Sequence, residues 1–226
     1  STGFSLSLSM GYSVADSSPN DMGRIFKEAD DNMYREKMLH RQSASSAIVK
    51  TLMKALEARD FITEGHADRL QKLVESMAGT IGINNKGIAD LRLLAKFHDI
   101  GKVGIPDRVL FKPGPLTPEE TRVMRQHCEI GYHIAQSASV LMDIGEWIHK
   151  HHEWWNGKGY PLGLKGEEIP LECRILSIAD AYDAMTSDRP YRAAMSHESA
   201  VEEIKRCAGS QFDPNLVPFF LEILEK

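Results

Sequence analysis

Long hydrophobic runs are missing from these 226 residues. No stretch approaches the roughly 18 apolar residues of a membrane span, and no signal-peptide pattern occurs. No membrane contact is therefore expected. Cysteine is scarce. Cys128, Cys173 and Cys207 are odd in number, far apart and without a CxxC pair, which excludes a disulfide frame or zinc ribbon and predicts the reduced thiols of a cytoplasmic protein. A surplus of positive charge is missing too: the formal net charge of −5 offers no field for duplex nucleic acid or an anionic lipid surface. Alternating apolar and polar residues are absent after residue 46, so no sheet is expected there. What remains, 42% hydrophobic and 26% charged, suits one sizeable core plus a small extra piece.

Histidine is the unusual presence. Five of the nine lie between His127 and His152, with His66 and His98 upstream. The stretch around Leu91, Leu94, Ala95 and His98 repeats at i, i+3, i+4 and i+7, so an apolar helical stripe runs into a histidine. Asp99 follows, then Gly101, where a helix would stop, then Lys102. Residues 48–59 carry a helical apolar face. His66 heads a second helix with Leu70, Leu73, Val74 and Met77. Thr117-Pro118-Glu119-Glu120 is a capping box with Pro at the first helical position, a strong helix start; that helix carries Val123, Met124, His127, Ile130, Gly131 and Ile134. Ile144, Trp147, Ile148 and His151 share the next. Pro170 precedes a long helix with Ile175, Ile178, Ala179 and Tyr182, and a last one spans about 214–224. The main domain is expected to be all-α.

His66, His98, His127 and His151 thus each sit on or beside the apolar face of a different expected helix, flanked by Asp99, His152 and Asp180. Singly, each reads as a satisfied core or surface residue. Together they would bury several imidazoles and two carboxylates, which costs several kcal/mol unless something positive pairs with the acids and uses the lone pairs. A divalent metal does both, and helical bundles place such ligands on facing helices. Nitrogen and oxygen donors suit iron, manganese, nickel, cobalt or zinc and disfavour calcium or magnesium. Seven ligands exceed one ion's need; with Asp99 bridging they divide as four and four around two ions, roughly 3.5–4 Å apart, the arrangement that activates a water for phosphoester attack. Lys102 then reads as an unpaired cation at the site's edge, Asn156 to Pro161 as a Gly-rich loop able to approach a ligand. Arg189 and Arg192 offer guanidinium groups that match phosphates or a guanine edge.

The first 46 residues differ. Phe4 to Tyr12 alternates like a half-buried strand, 16–21 is a loop, and Met22 to about Arg41 is a charged helix. Ser9-Met-Gly11 and Ala29 to Lys37 resemble the last strand and terminal helix of a GGDEF (diguanylate cyclase-like) domain. Residues 1–46 are accordingly expected to be the C-terminal remnant of such an α/β domain with a linker helix, and a homodimer through that helix and a GGDEF-domain partner are expected.

Residues 47–226 closely resemble the HD-GYP family, the HD-superfamily phosphodiesterases acting on cyclic di-GMP. The resemblance rests on His98-Asp99-Ile-Gly101-Lys102, His127, His151-His152-Glu153, Gly159-Tyr160-Pro161, Ala179 to Thr186 and Asp188 to Arg192. It implies a helical HD bundle and hydrolysis of cyclic di-GMP to pGpG and onward to GMP. His66, His98, Asp99 and Asp180 would hold one metal, and Asp99, His127, His151 and His152 the other, with iron or manganese foremost. Lys102 would be the catalytic lysine, aided by Asp99; Arg189, Arg192, Tyr160 and Asp183 would face substrate. Some members hold a third ion through a Glu one turn before the first His; Ile62 stands there, so two ions are expected. His40, His133, His149 and His197 match no ligand position. Two competing readings are a cyclic di-GMP-binding module without turnover and an HD hydrolase of cyclic GMP-AMP.

Overall fold

A computed structural model describes residues 65–188 and 193–225, together with 10, 12–14, 25–27, 29, 30, 32, 33, 47, 51 and 54. The chain divides into two compact units, residues 1–49 and 50–226. In the first, the described residues from 25 to 33 are helical, and Asn32 Nδ2 donates to the Tyr12 carbonyl at 3.0 Å. The strand expected over 4–12 lies almost wholly outside the described residues, and Met10 and Tyr12 belong to no strand. The helix expected at 48–59 also falls outside them, Thr51 and Lys54 apart, and both of these are helical.

The second unit is helical. Its main elements are α1 (His66–Ile81), α2 (Asn85–Phe97), α3 (Pro118–Arg125), α4 (His127–Ser137), α5 (Gly145–Lys150), α6 (Leu171–Thr186), α7 (His197–Arg206) and α8 (Val217–Leu224). A 3-10 turn, Ile100–Gly104, and a single α-turn, Asp107–Leu110, follow α2. Among the described residues no β-strand occurs, only the isolated bridges Asn156 to Lys165 and Ala208 to Phe212. None of the described helices is long and apolar enough to cross a membrane.

The stripes read from the sequence face inward. Leu70, Val74 and Met77 of α1, Leu91 and Leu94 of α2, Ile148 of α5, Ile175 and Ile178 of α6 and Phe220 of α8 are fully buried. Each such side chain contributes about 1.5–3 kcal/mol over its exposed state. Helix α6 packs on α1, α7, α2, α5 and α8, and so forms the spine of the unit. The capping box at α3 forms as expected: Thr117 Oγ accepts from the Glu120 amide at 3.3 Å, and Glu120 accepts from the Thr117 amide at 2.8 Å.

One expected helix is two. The chain breaks at Gln126 between α3 and α4, so His127 opens a helix instead of sitting inside one. Gly101 shows what the break serves. A Cβ there would lie 1.9 Å from the His127 carbonyl oxygen and 2.5 Å from the Gly131 nitrogen. Only glycine lets the 3-10 turn after Asp99 press directly on the start of α4.

Candidate metal centre

Helix ends, not helix faces, build the site. His66 is the first residue of α1 and His127 the first of α4; His98 follows the last residue of α2, and His151 with His152 follows α5. Asp99 caps the 3-10 turn, and Asp180 alone comes from the body of a helix, α6. Side chains at the ends of four helices converge on a small volume without requiring the helices themselves to pack side by side. One donor atom each from Asp99, His127, His151 and His152 lie within 4.8 Å of one another, as do those of His66, His98 and Asp180. The seven residues singled out in the sequence are thus brought together in two adjoining groups.

The ring contacts decide what these groups can bind. His98, His127 and His151 each place Nδ1 against the carbonyl three residues earlier: Ala95 at 3.0 Å, Met124 at 2.8 Å and Ile148 at 2.6 Å. A carbonyl only accepts, so each Nδ1 carries the proton, and in a neutral ring Nε2 is left with a lone pair. The Nε2 atoms of His127 and His151 face each other at 3.4 Å. Burial pushes the pKa of both rings down, so both are neutral and neither has an Nε2 proton to give the other. His98 Nε2 is buried with no hydrogen-bond partner. Lone pairs aimed at one another and an orphaned ring nitrogen, beside two carboxylates, fit a cation held by all of them.

Asp99 joins the two groups. Its Oδ1 lies 3.5 Å from His127 Nε2 and 3.9 Å from His151 Nε2, while Oδ2 lies 3.3 Å from His98 Nε2 and 2.8 Å from Lys102 Nζ. Lys102, expected as an unpaired cation, is therefore paired with Asp99, because the tight 3-10 turn brings residue i+3 back over residue i. Burial would raise the Asp99 carboxyl, but Lys102 and His98 hold it well below the carboxylate range. Burial works the other way on the rings. It lowers His152 to about 3, with His127 adding to the effect. His98 is the exception: burial opposes its charge, yet Asp99 and Asp180 lift it to about 9.

Around this core the structure gives two acidic residues roles that the sequence did not reveal. Asp183, expected at the substrate, is buried behind His66 instead. Its Oδ2 accepts from His66 Nδ1 at 2.6 Å and its Oδ1 from Arg69 Nε at 2.6 Å. Both oxygens are occupied by the protein, which is why it does not face the open side. Its i+3 spacing from Asp180 and Arg69's i+3 spacing from His66 are the sequence signals that could have revealed the pairing. Glu153 is likewise buried, its carboxylate accepting from the backbone amides of Leu162, Gly163 and Leu164 at 2.6, 3.2 and 3.0 Å. Gly159 in that loop would put a Cβ 2.2 Å from the Trp154 nitrogen, so the loop closes tightly on Glu153. Tyr160 is where the loop meets the centre: its ring stacks on His152 at 4.8 Å, and the Arg125 guanidinium lies 4.6 Å from its centroid. A cavity of about 130 Å³ opens beside His152 and Asp180, lined also by Trp154, Ser177 and Gln211.

Arg189 and Arg192 lie outside the described residues, as do Ile62 and His40. The remaining histidines are engaged away from the centre. His133 and His149 both pair with Glu129, at 3.1 and 3.0 Å, and His197 Nδ1 lies 2.7 Å from the Tyr182 hydroxyl.

Among known families, residues 50–216 match the HD domain model. The chain belongs to the HD domain family. A cyclic di-GMP phosphodiesterase of Thermotoga maritima is 41% identical over 178 residues, 78% of this chain and 48% of that protein. A 3'3'-cGAMP-specific phosphodiesterase of Vibrio cholerae is 36% identical over 187 residues, 82% of this chain and 36% of that protein. The chain thus spans about half or less of the length of these relatives. Among solved structures, a cyclic GMP-AMP-specific phosphodiesterase of V. cholerae superposes with a TM-score of 0.61 at 22% identity, covering 79% of this chain and 48% of that one, and supports the helical HD fold.

Proposed function

We propose that residues 47–226 are an HD-GYP domain that hydrolyses cyclic di-GMP to pGpG and onward to GMP, and that residues 1–46 are the end of a GGDEF-like domain with a linker helix that pairs two copies. The observation that carries this reading is the Asp99 carboxylate, with one oxygen turned to each group of donors. His66, His98, Asp99 and Asp180 would hold one divalent ion; Asp99, His127, His151 and His152 would hold the second. The nitrogen and oxygen donors favour iron or manganese, with nickel, cobalt and zinc as further candidates. Two such ions supply water activation and charge neutralisation for phosphoester hydrolysis.

The chain's own residues do the rest. Lys102 keeps an ammonium group at the edge of the centre, 2.8 Å from Asp99, where it neutralises a phosphate oxygen or gives a proton to the leaving alkoxide. Tyr160, stacked on His152 with Glu153 holding the loop behind it, forms a fixed wall beside the reacting phosphate. Arg189 and Arg192 are proposed to grip the phosphates or a guanine edge. The three free cysteines accord with a reducing cytoplasm.

Cyclic GMP-AMP is the second reading, favoured by the 36% identity to the V. cholerae enzyme of that specificity. Incubating the Mn- or Fe-loaded protein separately with cyclic di-GMP and 3'3'-cGAMP, with products separated by chromatography and mass, tests both. Faster release of pGpG or GMP from cyclic di-GMP supports the first reading, and preference for cGAMP the second. Binding without product under any metal would make this a sensor and defeat both.

A further inference from the structure

The histidines of the centre are not held alike. His98, His127 and His151 donate Nδ1–H to the carbonyl three residues earlier, so local backbone sets their rings. His66 is the first residue of α1, with Gly65 as its N-cap. Its Nδ1 is taken instead by Asp183, across on α6, at 2.6 Å. Asp183 is only 3% exposed and is itself held by two bonds from Arg69, Nε to Oδ1 at 2.6 Å and Nη2 to Oδ2 at 3.1 Å. Arg69 Nη2 also donates to Ser187 Oγ at 2.9 Å. Residues 66 and 69 occupy the first turn of α1, while 183 and 187 occupy the last turn of α6 and its end. The contact therefore clips two helices together one turn from Asp180, whose Oδ1 is 3.7 Å from His66 Nε2.

We propose that Asp183 is the positioning residue for one metal position only, and that the position formed by His66, His98, Asp180 and the shared Asp99 is conditional on this clip between helices. The position formed by Asp99, His127, His151 and His152 uses none of it. The inference rests on the two-ion reading above. Carboxylate partners of a metal-bound imidazole fix its tautomer and ring plane and raise its basicity, and losing one typically weakens metal affinity about 10–100-fold. The two ions are therefore expected to differ in how readily they leave, and a change at Asp183 should empty one without touching the other.

The test titrates Mn²⁺ into metal-stripped wild type and into Asp183→Asn, reading free Mn²⁺ by electron paramagnetic resonance and the fold by circular dichroism. Wild type should take up two equivalents. Asp183→Asn should bind one with unchanged affinity and the other about 10–100-fold more weakly, losing the spin-coupled signal of a manganese pair. Arg69→Gln leaves the carboxylate but loosens it; it should weaken the same equivalent by less, and it carries the test if Asp183→Asn does not fold. Two unchanged equivalents in the variants, or equal loss of both in a folded variant, overturns the inference. A single equivalent in wild type instead overturns the two-ion reading beneath it.

Discussion

At the scale of the residue, Asp99 bears the most. Removing its carboxylate takes a donor from both groups at once. Asp99→Ala is expected to lose both metals and activity together, checked by elemental analysis beside a turnover assay; retention of either ion would refute the bridging role. Lys102→Ala should keep the metals while slowing turnover about 10²–10⁴-fold, the usual range for a positioned proton donor. A parallel fall in metal content would show that Lys102 matters through its pair with Asp99 instead. His98 gives a pH signature. Its folded pKa of about 9 lies above the ordinary histidine value of 6.5, so at pH 7.5 the metal-free ring is protonated and a metal must displace that proton. Metal affinity should therefore rise with pH up to about 9. Calorimetry in buffers of different ionisation enthalpy should detect a proton released from His98 at pH 7.5 that is no longer released well above pH 9. Uptake with the same proton count on both sides of pH 9 would contradict the assignment. His127, His151 and His152, pushed down by burial, should add none.

At the scale of the element, the sequence made some features legible and hid others. The periodic stripes of α1, α2 and α6 were readable because burial of Leu70, Val74, Leu91, Leu94, Ile175 and Ile178 follows helical spacing. The convergence of the donor residues was readable because burying imidazoles beside acids is costly unless a cation pairs with them. The break at Gln126 was not: nothing local stops a helix there, and the constraint is the tertiary approach of Gly101 to the His127 carbonyl. Long-range partners stayed hidden for the same reason, since Asp183 meets His66 across 117 positions of sequence. The loop after His152 is organised by one side chain. Glu153→Gln keeps the shape but removes the charge that three amides share, which is expected to cost about 1–3 kcal/mol locally. Hydrogen exchange at Leu162, Gly163 and Leu164 should accelerate while metal content holds. Unchanged protection at those amides would mean that Gly159 packing alone closes the loop.

At the scale of the whole molecule, a helical HD unit places the ends of four helices and the middle of a fifth around one small centre, with α6 as its spine. Composition already pointed to a single sizeable core, and the absence of alternation after residue 46 pointed to helices. Pattern and spacing do not encode which cyclic dinucleotide the proposed centre would take. Two ions sharing Asp99 are proposed to make this unit a cyclic di-GMP hydrolase. The most direct test is the rate of cyclic di-GMP hydrolysis by metal-stripped protein as Mn²⁺ is added in measured equivalents. No hydrolysis is expected without metal, and the rate should climb until two ions are bound per chain. Full activity at one equivalent, or product formed by the stripped protein, would contradict the proposal.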